Sequence, residues 1–153
     1  MKNKVKYLVA TAVVFSATLL LGYVSSDNTA MAEEIMVYKS PTCGCCKKWV
    51  AHLEKEGFTV KTKNIANLQP IKDEHGVQRQ FQSCHTAKIG KYFVEGHVPA
   101  KDIKKLLNDK PDIKGLAVPG MPMGSPGMEG PRNDRYDVIA VGNNNKATVY
   151  SSY

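Results

Sequence analysis

Residues 34–46, which read EIMVYKSPTCGCC, decide the fold of this chain. The apolar and β-branched side chains at the start of the segment predict a short buried strand from Glu34 to Tyr38. The Ser40-Pro41-Thr42 sequence then predicts a turn that brings the cysteines to the start of a helix. We expect that helix to run to about Glu56 and to end at Gly57.

The cysteines are concentrated in one place. Three of the four lie in Cys43-Gly44-Cys45-Cys46, and the fourth, Cys84, stands beside His85. A disulfide needs Cα atoms roughly 4.4–6.8 Å apart, so neighbours such as Cys45 and Cys46 pair only with strain. The cluster therefore indicates soft-metal binding or thiol redox chemistry rather than disulfide cross-linking.

Helical periodicity assigns the cysteines to different environments. Cys46 shares the i, i+3, i+4, i+7 spacing of a buried helix face with Trp49, Val50 and Leu53. We therefore expect Cys46 to face the core, while Cys43 and Cys45 are more exposed. After the helix, residues 58–62 alternate as a strand, which would complete a right-handed strand–helix–strand unit with a parallel sheet.

The remaining sequence predicts further strands and helices, and together they indicate an α/β sandwich with a mixed sheet. Cys84 is expected on a loop or at the start of a strand, and Gly115 to Pro131 reads as an irregular Gly-, Pro- and Met-rich segment. The other expected elements are a short helix over 68–74, β-favouring residues over 87–94, a helix opened by Pro99 with Ile103, Leu106 and Leu107 on one face, and a hairpin formed by 136–141 and 147–150.

The amino terminus indicates export. Three early lysines, an apolar run over 8–24 and Ala30-Met31-Ala32 predict a signal peptide over 1–32, although a membrane anchor is the alternative reading of the apolar run. Cleavage after Ala32 leaves one domain, residues 33–153, and lowers the formal charge from +7 to +5. We expect a periplasmic protein, or a cell-surface one in a Gram-positive organism. Such a protein would be a monomer that binds no nucleic acid and, after cleavage, no membrane.

A Cys-x-x-Cys pair between a first strand and a first helix is the placement found in thioredoxin-like proteins. Here the pair is Cys43 and Cys46, which predicts a thioredoxin-like single domain with a mixed sheet. The amides and dipole at a helix N-terminus stabilise thiolates, which favours both metal binding and nucleophilic attack. The residues between the pair are Gly44 and Cys45, whereas oxidoreductases of this fold usually carry proline or another residue that is not cysteine. The third thiol therefore favours metal.

Ligand softness narrows the choice of metal. Thiolates favour Cu(I), zinc and iron–sulfur clusters over hard cations. Structural zinc sites usually draw their cysteines in pairs from separate segments, which fits three cysteines in one turn poorly. Four Cu(I) ions held by four bridging thiolates would be neutral overall, and a partly buried site tolerates a neutral cluster better than an anion. Ligand spacing and charge thus favour several Cu(I) ions with bridging thiolates over a single zinc ion.

Several segments carry a more specific resemblance. They are YKSPTCGCC at 38–46, SCHT at 83–86, EGHVPA at 95–100, GLAVPGMP at 115–122 and GSPGME at 124–129. In this order they resemble the exported CopG-type copper-resistance family of secreted thioredoxin-like metal-binding proteins. The resemblance implies copper bound by a Cys-x-Cys-Cys motif and one distal cysteine, often as a multinuclear Cu(I) cluster. It also implies a redox role in periplasmic copper handling, with other copper-handling proteins or efflux components as partners.

The family's metal ligands correspond to Cys43, Cys45, Cys46 and Cys84, and none of these positions departs from the motif. Among the histidines, His85 is a candidate copper ligand or a base beside Cys84, but an adjacent residue often points elsewhere, so direct ligation is not favoured. His97 is expected to cap or position the helix that begins near Pro99. The rest are expected to have ordinary roles: His52 and His75 on the surface, Trp49 in the core, and Met121, Met123 and Met128 packing a loop rather than offering thioethers to Cu(I).

Three functions therefore stay open at this point. The first is a copper-binding protein for resistance or homeostasis, which sequesters Cu(I), passes it on or changes its oxidation state. The second is a periplasmic thiol–disulfide oxidoreductase in which Cys43 and Cys46 react and Cys45 is dispensable. The third is a structural protein with two disulfides. Whether the protein turns over as an enzyme is left open.

Overall fold

The computed structural model describes residues 33–153, so the predicted signal peptide over 1–32 lies outside the described residues. Among the residues described, no helix is both long and apolar enough to cross a membrane. The elements in chain order are β1 (Ile35–Lys39), α1 (Gly44–Lys55), β2 (Val60–Asn64), α2 (Gln69–Glu74), a 3-10 turn (Arg79–Phe81), β3 (His85–Ile89), β4 (Tyr92–Glu95), α3 (Ala100–Asp109), β5 (Ile113–Ala117), β6 (Asp137–Gly142) and β7 (Ala147–Ser152).

All seven strands form one mixed sheet in the order β2-β1-β3-β4-β5-β6-β7. The pairs β1–β2 and β4–β5 are parallel, and the other pairs are antiparallel. A parallel pair needs a crossover connection, and α1 and α3 supply the two crossovers. The predicted mixed α/β architecture is confirmed.

The sheet is covered on both faces. On one face α1 and α3 bury a large cluster that includes Trp49, Leu53, Ile103 and Leu106. On the other face, a smaller cluster forms around Phe93, with Val77 and Phe81 from the segment between α2 and β3 among its members. Strand residues alternate between the two clusters, as the pleat requires.

Most of the predicted elements are confirmed within one or two residues. The first strand, α1, the parallel partner strand β2, the short helix α2, the helix after Pro99 and the final hairpin are all present. Cys46, Trp49, Val50 and Leu53 are buried on one face of α1, as their spacing predicted, and Cys43 and Cys45 are partly exposed. Residues 87–94 are divided between two strands of a hairpin that turns at Gly90.

One strand was missed from the sequence. Residues 113–117 form β5, which lies between β4 and β6, although Gly115 was assigned to an irregular Gly- and Pro-rich segment. The glycine is needed for close packing rather than for a turn, because a Cβ at this position would collide with the carbonyl oxygen of Phe93 on β4. A glycine inside a strand often marks such a close approach of another backbone.

Candidate metal centre

Strand pairing brings the two cysteine-bearing segments together. β1 and β3 are antiparallel, and Lys39 at the end of β1 lies opposite His85 at the start of β3. The chain after β1 turns into α1, with Cys43 as the N-cap residue whose sulfur accepts a hydrogen bond from the Cys46 N–H at 3.3 Å. Cys84 directly precedes β3, so it comes to the same end of the sheet as the start of α1.

All four sulfur atoms lie within 4.8 Å of one another. Cys43 and Cys46 form a disulfide with a Cα separation of 5.4 Å, while Cys45 and Cys84 are free. The Cys84 Sγ lies 3.6 Å from that of Cys46 and 3.9 Å from that of Cys45, and the Cys43 and Cys45 Sγ atoms are 3.5 Å apart. Thiolates around one tetrahedral ion are about 3.8 Å apart, so the spacing suits a shared soft metal once the disulfide is reduced.

Burial opposes negative charge at this centre. The pKa of the Cys84 thiol is raised to about 12, first by desolvation and then by the neighbouring Cys45 thiol. Cys84 is therefore a neutral thiol at neutral pH and a weak nucleophile in the absence of a cation. A bound metal ion reverses this preference, because its positive charge stabilises the deprotonated sulfur.

His97 belongs to this centre, which corrects the prediction that it caps or positions α3. Its ring is fully buried, and Nε2 lies 3.1 Å from the Cys84 Sγ. The Nδ1 atom is 2.7 Å from the carbonyl oxygen of Pro126, which can only accept, so Nδ1 carries the ring proton and Nε2 has a free lone pair. Burial lowers the pKa of His97 despite that hydrogen bond, which keeps the ring neutral.

The contact with α3 comes from a different histidine. His52, which was predicted to be an ordinary surface residue, is half-buried, and its Nε2 accepts a hydrogen bond from the Ala100 N–H at 3.2 Å. Pro99, the N-cap residue of α3, makes no side-chain cap. His52 thus has the role that was expected of His97, and His97 is a buried neighbour of Cys84. Sequence spacing gave no sign of this, because both contacts join residues that are distant along the chain.

His85 also faces Cys84. The ring is fully buried against Trp49, with 4.3 Å between ring centroids, and Nδ1 lies 3.3 Å from the Cys84 Sγ. Burial, followed by the neighbouring His97, lowers the pKa of His85 well below its ordinary value. Its Nε2 is buried without a hydrogen-bond partner. The three atoms from Cys84, His85 and His97 lie within 4.8 Å of one another and form a second candidate set of metal ligands.

A buried ion pair supports the Cys84 segment from the opposite face of the sheet. Glu95 on β4 pairs with Lys72 of α2, and it also accepts hydrogen bonds from the Ser83 N–H and the Thr86 hydroxyl, both at 2.6 Å. The two charged side chains are almost fully buried. Burial raises the pKa of Glu95, against the opposing effect of Lys72. Sequence reasoning missed this network. The available signal was the charged Glu95 at the end of the otherwise apolar strand β4.

The Gly-, Pro- and Met-rich loop covers the centre from the side of α1. At Gly127, which has a φ of +86°, a Cβ would come within 2.8 Å of the backbone of Cys45 and Trp49, so the loop rests directly on the helix. Met123 and Met128 line an open groove beside Cys45, while Met121 is exposed. Two of the three methionine side chains thus line the same groove as Cys45.

Comparison with known proteins gives two kinds of match. Residues 81–128 match a family model described as "Protein of unknown function, DUF411". Two solved structures, "Copper resistance protein copG- Form 1" and "Copper resistance protein copG- Form 2", are similar to this chain with 46% and 47% sequence identity and a TM-score of 0.76 each. The matches cover 80% and 79% of this chain and 98% of each solved chain. No curated protein matches this chain.

Proposed function

The chain belongs to the family of the copper resistance protein CopG, and from that premise we propose that it binds copper as Cu(I) through Cys43, Cys45, Cys46 and Cys84. One observation carries the proposal: four sulfur atoms from two distant segments converge within 4.8 Å. Sulfur ligands favour Cu(I) over hard cations. Bridging thiolates would allow several Cu(I) ions to share the same four ligands.

The charge at the centre supports a cation. Each cysteine that binds gives up its proton to solvent, and each Cu(I) then balances one thiolate. Four thiolates with four Cu(I) ions leave no net charge, which lowers the cost of burying the cluster. The raised pKa of Cys84 supports this argument, because it indicates that the pocket disfavours an uncompensated thiolate.

Binding by all four sulfurs requires the reduced protein. A dithiol reductant opens the Cys43–Cys46 disulfide by supplying two electrons and two protons, so that two thiols form while the reductant becomes a disulfide. Reduction thus doubles the number of available thiols from two to four. Copper capacity is expected to follow the redox state of this pair.

We place this activity in an exported protein that sequesters Cu(I), passes it to other copper-handling proteins or efflux components, or changes its oxidation state. The placement rests on the residues over 1–32 that have the pattern of a signal peptide. The strand order β2-β1-β3-β4, with a Cys-x-x-Cys pair at the start of α1, supports assignment of the domain as thioredoxin-like. The proposed functional unit is a monomer.

The test is copper stoichiometry. The reduced protein is loaded anaerobically with Cu(I) in competition with a chelator, and bound copper is compared with that of the Cys45→Ser variant. We expect three or four Cu(I) per chain, falling by at least half in the variant. Gly44→Ala is the matched control, because it changes the neighbouring residue at a position where a Cβ meets no atom within 4 Å. Undiminished copper in Cys45→Ser would contradict the ligand assignment.

The Cys43–Cys46 disulfide favours a second candidate, a thiol–disulfide oxidoreductase. That function requires Cys43 and Cys46 but not Cys45, whereas the proposed cluster requires all four. Failure to bind Cu(I) tightly, together with full disulfide-exchange activity in Cys45→Ser, would establish the second candidate. The structural alternative expected two disulfides, but the described chain has one disulfide and two free cysteines.

A further inference from the structure

The environment of Cys84 differs on its two sides. Toward α1 it faces the sulfur atoms of Cys45 and Cys46, at 3.9 and 3.6 Å. Toward β3 and the β4–α3 connection it faces two imidazole nitrogens, His85 Nδ1 at 3.3 Å and His97 Nε2 at 3.1 Å. The proposed Cu(I) cluster uses only the sulfur side, which leaves the two imidazoles unexplained.

The orientation of His97 is that of a metal ligand. Histidines that bind metals usually donate their other ring N–H to a backbone carbonyl or a carboxylate, which fixes the tautomer and the direction of the lone pair. His97 donates from Nδ1 to the Pro126 carbonyl at 2.7 Å and directs Nε2 toward the Cys84 Sγ. Because Gly127 holds this part of the loop on α1, the acceptor is itself in a fixed position.

His85 completes the set from the adjacent position. Its ring has no exposed surface and is held against Trp49, and the contact with Cys84 is the one hydrogen-bond contact of its ring nitrogens within the described chain. Ligation through Nδ1 places the ring proton on Nε2. One thiolate and two neutral imidazoles then converge, a donor set that suits borderline divalent ions such as Zn²⁺ and Cu²⁺.

The disulfide removes two ligands from the four-cysteine set but none from the set of Cys84, His85 and His97. In the form described here, Cys43 and Cys46 are bonded to each other, and the sulfur side retains only Cys45 and Cys84. We propose that in this disulfide form Cys84, His85 and His97 bind one borderline divalent cation, with release of the Cys84 proton to solvent. The inference shares only Cys84 with the proposed Cu(I) function, which requires the reduced protein, so the two kinds of metal binding belong to different redox states.

Co²⁺ is a suitable probe, because coordination by a thiolate gives sulfur-to-metal charge-transfer absorption and tetrahedral geometry gives intense visible bands. Titration of the disulfide form is expected to give both signals and to saturate at one equivalent. Removal of one ligand in His97→Phe should weaken Co²⁺ binding by about 100-fold or more, since loss of an outer partner alone costs roughly 10–100-fold. Cys84→Ser should abolish the charge-transfer band.

Two control variants separate this site from the rest of the molecule. His75→Gln changes a half-buried histidine outside the set and should leave Co²⁺ binding unchanged. Cys45→Ser should retain Co²⁺ in the disulfide form, while its Cu(I) content in the reduced form falls by at least half. Unchanged Co²⁺ affinity in His97→Phe, or a spectrum without thiolate charge transfer, would overturn the proposal.

A measurement on the unaltered protein tests the site without depending on whether the variants fold. Zn²⁺ is titrated into the disulfide form in competition with a chromogenic chelator, and the proton released on binding is followed in weakly buffered solution. We expect one Zn²⁺ per chain with release of one proton from the Cys84 thiol; binding without proton release would contradict thiolate ligation at this site. If the disulfide form gave these results but the reduced protein did not bind Cu(I), the proposed Cu(I) function would be wrong and the divalent-cation site would still be supported.

Discussion

The two ligand-bearing regions of this protein are built in different ways. The first, residues 43–46, is a local motif in which an N-cap and the first turn of α1 hold three cysteines. The second consists of Cys84, His85 and His97, and it is assembled by strand pairing, the Glu95 network and the covering loop. Local geometry suffices for the first region, whereas the second depends on contacts from most of the fold. Substitutions that weaken tertiary contacts should therefore disturb the second region more than the first.

The largest expected effect is at Glu95. Glu95→Ala removes the partner of Lys72 and the acceptor of the Ser83 N–H, which leaves a buried ammonium group without its counterion. Breaking a buried pair in this way costs about 3–5 kcal/mol of unfolding free energy. Urea unfolding of the reduced, metal-free protein measures the loss. In Glu95→Gln, alkylation of Cys84 should become faster while that of Cys45 stays the same.

Glu56 provides the matched control for this prediction. It also pairs with a lysine, Lys104, at 2.8 Å, but both side chains are exposed. Glu56→Ala should change stability little, because solvent screens such pairs. Replacement of both buried partners, in a Lys72→Met/Glu95→Leu variant, should recover part of the loss seen in Glu95→Ala. Equal stability of Glu95→Ala and Glu56→Ala would show that the Cys84 segment does not depend on this network.

The difference between the local cysteine motif and the assembled second region also explains which features the sequence could predict. The first region and the helix face of Cys46 followed from spacing, because residues within a few positions of one another have a fixed geometry in a helix. The convergence of Cys84 followed only as an expectation from the family resemblance and the number of thiols. The contact of His52 with α3, the contact of His97 with Cys84 and the support from Glu95 arise where distant segments meet, and no periodicity marks them. β5 was missed because its glycine packs against Phe93 instead of forming a turn.

The covering loop links the two regions, and Gly127 tests that link. Gly127→Ala adds a Cβ within 2.8 Å of the Cys45 and Trp49 backbone at a φ of +86°. Left-handed strain and overpacking together should cost about 2–4 kcal/mol, measured by urea unfolding. Displacement of the loop also moves the Pro126 carbonyl, so Co²⁺ binding at the second region should weaken more than Cu(I) binding at the first.

Gly120→Ala is the control for the loop. Its φ of +70° imposes similar backbone strain, but a Cβ there meets no atom within 4 Å. We expect a loss of about 1–2 kcal/mol, with metal binding unchanged in both regions. Equal losses in the two glycine variants would mean that the contact of the loop with α1 contributes little.

The smallest effect concerns His52, which contacts α3 and neither ligand region. His52→Ala removes the acceptor for the Ala100 N–H, and loss of a comparable cap costs about 1 kcal/mol. Burial lowers the pKa of His52, so the unfolded chain takes up a proton more readily than the folded protein as the pH falls below 6.5. The stabilising contribution is therefore complete above that pH and declines below it.

The difference in unfolding free energy between the natural protein and His52→Ala should narrow from pH 7.5 to pH 5.5. His52→Gln keeps an acceptor without a titrating group, so it should lie near the natural protein at the higher pH and above it at the lower. A gap that stays constant between the two pH values would show that the ring does not cap α3 as a neutral acceptor.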